Sequence, residues 1–212
     1  MSAPVDDEVE TTGLQRLVIG VVLIVLAIGL GIQITLEVDI DIDDWWNSFV
    51  DVFSFLRPLA LVLNFLGGGW FATFVVPLGT AAILLALRRP WGALFALCAS
   101  AGSALIVQVL KAMFGRARPE DMIVVSDHGS YPSGHTANAA TLAVIAVVIV
   151  PRLWVAIVGA AWVFAMAFSR TGVHAHWFTD TVGGTLAGLG AALVVAAFFT
   201  PALDREARRP DR

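Results

Sequence analysis

Residues 90–119 read PWGALFALCASAGSALIVQVLKAMFGRARP. No charge interrupts the run between Arg89 and Lys111, which is long enough for an α-helix to cross a bilayer. Lys111 ends it, and Arg116, Arg118 and Pro119 follow, where the proline limits any further helix. An apolar span that runs into a compact basic cluster sets the pattern for the chain.

Working outward, the same reading gives six spans, at about 14–36, 70–87, 91–112, 135–150, 153–169 and 180–200. Composition agrees. Of the 212 residues 58% are hydrophobic and 14% charged, against about 25% charged in ordinary soluble domains. The expected fold is all-α, a polytopic membrane helical bundle. Leu17 to Leu36 is too long for a signal-peptide core and follows an acidic stretch (Asp6, Asp7, Glu8, Glu10), so it reads as an uncleaved first span. Residues 1–13 read as a disordered cytoplasmic tail and 201–212 as a basic one. Between spans one and two, residues 37–69 read as an outer loop. Its first part, Glu37 to Asp44, reads as solvated. Trp45 and Trp46 then form an interfacial pair, and an interfacial helix runs on to Gly67-Gly68-Gly69. Gly184 and Gly188 have the small-xxx-small spacing of closely packed membrane helices. The lone Cys98 reads as helix packing. No cysteine–histidine cluster suggests a metal, and no basic tract suggests nucleic acid.

Six spans put both termini on one side. Arg16, Arg88, Arg89, Arg152, Arg205, Arg208, Arg209 and Arg212 fall there, eight of the thirteen basic residues. The positive-inside rule makes that side cytoplasmic. The others, Arg57, Lys111, Arg116, Arg118 and Arg170, oppose the bias, and all but Arg57 collect in two polar segments. Cations placed against the topological rule point to chemistry.

Three segments meet on that outer face: Lys111 to Pro119, Tyr131 to His135, and Ser169 to Asp180. Lys111 and Arg118 are two helical turns apart. Ser133-Gly134-His135 sits where span four should begin, and a helix start offers free amide donors to an anion. Ser133 adds a hydroxyl, and Gly134 admits close backbone approach. His176 and Asp180, four apart, are neighbours on a helix, and the carboxylate can fix the imidazole tautomer. Cations, an amide cradle and two imidazoles suit a phosphate.

These motifs resemble those of the type 2 phosphatidic acid phosphatase superfamily, integral-membrane lipid phosphatases whose active site is related to that of vanadium haloperoxidases. That family's first motif is Lys, six residues, Arg-Pro, matched by Lys111 and Arg118-Pro119. Its second is Pro-Ser-Gly-His, matched by Pro132 to His135. Its third is Ser-Arg, five residues, His, three residues, Asp, matched by Ser169-Arg170, His176 and Asp180. The resemblance covers about residues 70–200. It implies that His176 is a nucleophile forming a phosphohistidine, oriented by Asp180, and that His135 is the general acid and then base. It implies phosphate binding by Lys111, Arg118, Ser133, Gly134 and Arg170, with no metal and no cofactor. The expected substrate is a membrane lipid phosphate monoester or diphosphate: phosphatidate, phosphatidylglycerophosphate or undecaprenyl diphosphate. The expected place is the cell membrane, with the site at the outer face. A phosphotransferase could use the same phosphohistidine with a lipid or sugar acceptor. A transporter or non-catalytic lipid-binding protein fits less well, because the spans are nearly free of ionisable groups. His128, His174 and Arg116 lie outside the motifs and read as loop residues, Arg116 also as a headgroup contact. Tyr131 reads equally as lining the entrance or sitting at the interface. Oligomeric state is open.

Overall fold

The computed structural model describes residues 4–36, 41–126 and 129–209, with side chains from Asp7 onward. Every regular element in it is helical: α1 Pro4–Thr35, α2 Asp41–Asp51, α3 Arg57–Gly67, α4 Val76–Ala86, α5 Pro90–Phe114, α6 Gly134–Ile149, α7 Leu153–Gly172 and α8 Phe178–Ala207. A π-helical turn, Phe71–Val75, leads into α4. Large apolar side chains such as Val18, Val22, Leu61, Leu85, Leu105 and Phe164 are exposed, as a lipid-facing surface requires.

Among the described residues, four helices are long and apolar enough to cross a membrane: Asp7–Thr35, Pro90–Phe114, Leu153–Gly172 and Phe178–Ala207. A fifth is added if a bent pair counts as one span, so the expected six are not all found. The segments expected as spans two and four are apolar but short, at Phe71–Ala86 and Gly134–Ile149. Sixteen residues of helix rise about 24 Å, less than the ~30 Å hydrocarbon core. The cause at α6 is local: its sequence is cut off by the polar segment that precedes Gly134.

The segment expected to hold one interfacial helix is broken. Asp41–Asp51 and Ser54–Gly67 lie at 73° to each other. Part of its acidic start, residues 37–40, lies outside the described residues, as do Asp127 and His128. Residues 4–13, expected to be disordered, are the first turns of α1. Acidic residues early in a helix suit its partial positive end.

α8 is the central element, packed by α1, α5 and α6. Glycines allow it. A Cβ on Gly184 would collide with the Ser133 carbonyl, and one on Gly188 with the Ala137 backbone. Gly20 and Gly190 let α1 approach α8, where a Cβ on either would come within 2.8 Å of the other's carbonyl. The glycine spacing read as packing therefore seats the start of α6 directly on α8. Phe95, Ala96, Ala99, Ile145, Ala192 and Ala196 fill the core away from that end.

α5 ends where Gly115 takes a left-handed conformation (φ 52°) and its N–H bonds to the Lys111 carbonyl at 3.0 Å. Lys111 is thus fixed in the last turn. At the other end of the bundle, Arg16 donates to Thr200 Oγ1 at 2.9 Å and Arg89 to the Ile149 carbonyl at 2.9 Å. The Glu206 carboxylate accepts the Trp91 and Gly92 amides there, at 2.8 and 3.1 Å.

Gly188→Val should lower the detergent unfolding temperature, since overpacking costs about 1–3 kcal/mol or more. Gly29, where an added Cβ would meet nothing within 4 Å, is the control. Gly29→Ala should unfold at or above the wild-type temperature. Equal effects from both would contradict the close-approach account.

Candidate active site

Asp180 occupies the third position of α8 and is wholly buried. Its Oδ2 accepts the Trp177 amide at 2.9 Å and the Ser130 hydroxyl; its Oδ1 accepts Arg116 at 2.7 Å. Its main-chain carbonyl accepts the Ser133 amide at 2.9 Å. One residue therefore ties the third polar segment to the first two.

His176 lies in the turn before α8, 2% exposed. Its Nδ1 is 3.5 Å from Asp180 Oδ2 and 3.5 Å from Ser130 Oγ. Its Nε2 is 3.2 Å from an Arg118 nitrogen. A guanidinium only donates, so Nε2 is the acceptor and the ring proton sits on Nδ1, toward the carboxylate. Burial pushes the imidazole pKa down to about 4; Asp180 opposes the shift, and the charges of Arg170 and Arg118 add to it. The ring is neutral at pH 7, with its Nε2 lone pair on the side of the cations.

Those cations are held by main-chain oxygens and one amide. Lys111 donates to the Gly129 carbonyl at 2.7 Å, and Arg118 to the same carbonyl at 3.0 Å and to that of Ala175. Arg170, 1% exposed in the last turn of α7, donates to Asn64 Oδ1. The Asn64 carbonyl lies 3.0 Å from His135 Nε2. A Cβ on Gly68 would collide with the same imidazole. The end of α3 and the glycines after it thus form a wall against His135.

Ser133 is the residue before α6, but its side chain makes no capping bond. Its Oγ accepts the Thr136 hydroxyl at 3.1 Å. A Cβ on Gly134 would meet only a Val107 methyl at 3.7 Å. That open side faces a cleft of about 880 Å³, lined by Lys111, Gly134, His135 and His176 at one end. It continues past Val107 and Ala104 to Leu97, and past Phe71, Pro77 and Leu78. The fourteen helical steps of α5 from Lys111 to Leu97 span about 21 Å. A polar pocket opens into a long, largely apolar groove.

All eight residues singled out by the sequence motifs meet at this end of the bundle. Several others there were assigned differently or not at all. Arg116, expected as a loop or headgroup contact, bonds Asp180, Thr179 Oγ1 at 2.8 Å and Asp43 at 2.7 Å. Asp43, expected to be solvated, is 3% exposed. Tyr131 neither lines an entrance nor sits at the interface; it is wholly buried against Phe114, its hydroxyl on the Ala27 carbonyl. His174, expected in a solvated loop, is 2% exposed between Asp51 at 3.0 Å and Asp121 at 2.9 Å. A lone Asn64 on an apolar helical face and the Arg116–Arg118 doublet were the available signals. Ser130 and Asp43 offered none.

Comparison with known proteins agrees with this architecture. The PAP2 superfamily model matches residues 90–203. Phosphatidylglycerophosphatase B of Bacillus subtilis (strain 168) is 30% identical over 155 residues, covering 68% of this chain and 68% of that protein. The crystal structure of a transmembrane PAP2-type phosphatidylglycerolphosphate phosphatase from Bacillus subtilis has the same fold. Its TM-score is 0.67 at 23% identity, covering 91% of this chain and 98% of that one. LpxE of Aquifex aeolicus aligns with a TM-score of 0.57 at 22% identity, over 66% of this chain and 85% of its own. A helical membrane bundle, three motifs gathered at one end and these relatives lead to one conclusion: the chain belongs to the PAP2 superfamily and is a multi-pass membrane enzyme that hydrolyses lipid phosphates.

Proposed function

We propose that hydrolysis runs through a phosphohistidine on His176, at the outer face of the membrane. The observation that carries this is the placement of His176, with Nδ1 toward Asp180 and Nε2 toward Arg118. The Nε2 lone pair attacks phosphorus and the bond from phosphorus to the lipid oxygen breaks. Protonated His135 gives that oxygen its proton. Water then attacks the phosphohistidine, His135 takes the water's proton, and the N–P bond breaks to release inorganic phosphate and neutral His176. Asp180 balances the positive charge on the ring while it carries the phosphoryl group. Lys111, Arg118 and Arg170 neutralise the phosphoryl oxygens, with Ser133 and the Gly134 amide at the start of α6 as further donors. This charge work is what a metal does elsewhere. Three cations around the pocket would repel a metal ion, so the reaction is proposed to need none.

Orientation rests on charge. Arg16, Arg89 and Arg205 lie at the end of the bundle remote from His176, with Arg88 and Arg152 in the turns there. The positive-inside rule makes that end cytoplasmic, with both termini. In this reading the two short helices also cross, giving six passes, and α2 and α3 lie at the outer face.

The cleft, at about 880 Å³, is within the ~300–1,000 Å³ usual for ligand sites. Its apolar length suits acyl chains beneath a phosphate held near Lys111. The name of the Bacillus subtilis relative favours phosphatidylglycerophosphate. Phosphatidate and undecaprenyl diphosphate meet the same phosphate chemistry.

Purified wild-type enzyme should release phosphate from phosphatidylglycerophosphate in the presence of EDTA. His176→Ala should lose about 10⁴-fold or more of that turnover while remaining folded in detergent. A strict magnesium requirement, or a turning-over His176→Ala, would contradict the mechanism.

The buried ring gives a pH test. Its pKa lies below the ordinary ~6.5, so protonation sets in only as pH falls toward about 4. An NMR titration of the substrate-free enzyme should leave the His176 signals unchanged from pH 8 to 6. A midpoint near 6.5 would contradict the placement.

A further inference from the structure

Asp180 does not orient His176 alone. Behind it stands a layer anchored by Asp43, from a part of the chain outside all three motif segments. The Arg116 guanidinium bridges two carboxylates, with one nitrogen 2.7 Å from Asp180 Oδ1 and another 2.7 Å from Asp43 Oδ2. Asp43 also accepts the Thr179 amide at 2.8 Å on Oδ1 and the Thr179 hydroxyl at 2.7 Å on Oδ2. The Trp177 ring covers the guanidinium, 5.4 Å from its centroid. The exposures of the three side chains, 4% for Asp43, 15% for Arg116 and none for Asp180, keep water largely out.

We infer that Asp43 and Arg116 are positioning residues for the reaction, a relay from α2 through Arg116 to the carboxylate of Asp180 and so to the imidazole of His176. This rests on the nucleophile reading above. The physical reason is directional. A carboxylate facing His176 through one oxygen can rotate about its own axis unless the other oxygen is held. Arg116 holds Oδ1, leaving Oδ2 to Ser130, the Trp177 amide and the imidazole. Arg116 in turn would be a long, mobile side chain without a second anchor. Asp43 supplies that anchor on the second guanidinium nitrogen, a two-armed bridge between carboxylates that a lysine at position 116 cannot reproduce. Through Thr179, the same carboxylate fixes the first turn of α8, from which Asp180 projects. Groups that orient an active imidazole through a carboxylate act on the chemical step more than on binding.

The test is steady-state kinetics on a lipid phosphate monoester in detergent micelles, with Asp43→Asn, Asp43→Glu, Arg116→Lys, the Asp43→Asn/Arg116→Lys pair and His176→Ala. In folded Asp43→Asn and Arg116→Lys, kcat should fall about 10–100-fold with KM nearly unchanged. Asp43→Glu should recover part of the loss. The double variant should be no worse than the poorer single one, because one relay is broken once; independent structural defects would multiply. Should Asp43→Asn not fold, Thr179→Val, which removes a hydroxyl that donates to Asp43 and accepts from Arg116 but no charge, should show a smaller kcat loss at constant KM. Wild-type kcat in folded Asp43→Asn and Arg116→Lys, beside an inactive His176→Ala, would overturn the relay alone. An active His176→Ala would overturn the nucleophile assignment and the relay with it.

Discussion

A carboxylate shut off from water must find its hydrogen bonds inside the protein, and Asp180 finds them from four directions. Ser130, the Trp177 amide and Arg116 bond its oxygens, and His176 faces it. A buried charge left short of partners is costly, so these groups are held together by the same energetic demand. They come from three separate stretches of chain. Ser130 precedes the start of α6, Trp177 ends the turn after α7, and Arg116 follows α5. Satisfying one carboxylate assembles the pocket.

That assembly requires α8 to sit close to its neighbours. Gly184 and Gly188 let the start of α6 rest on α8, so that the Ser133 amide reaches the Asp180 carbonyl. With helix packing in a membrane lacking a hydrophobic drive between helices, close backbone contact is what holds such a bundle. The same closeness puts His135, at the first turn of α6, against Gly68 and the Asn64 carbonyl. The polar pocket and the apolar groove meet there, where a phosphate head and its lipid tails need opposite surroundings.

Much of this was legible in the sequence. Apolar runs ending at charged or proline-containing turns gave the long helices, and three short motifs gave the residues that converge. Long, strongly patterned segments read well because a single apolar segment of that length in lipid can satisfy its own backbone only as a helix. The misreadings have a physical pattern. Residues 4–13 are polar, and local composition does not report that α1 carries them as helix. Residues 47–66 show helical spacing, but spacing is blind to the bend that turns α2 away from α3. Asp43 sits among aspartates that look alike, and only the tertiary partner Arg116 separates the buried one from the rest. Arg116 itself differs from a surface arginine only by what folds over it.

The phosphohistidine proposed at His176 can be trapped during turnover. Rapid acid-free quenching of turnover with a ³²P-labelled lipid phosphate, followed by peptide mapping, should give a base-stable, acid-labile label on the peptide containing His176. The label should be lost in His176→Ala. A label on another residue, or turnover at the same rate with no labelled protein at any quench time, would contradict the account.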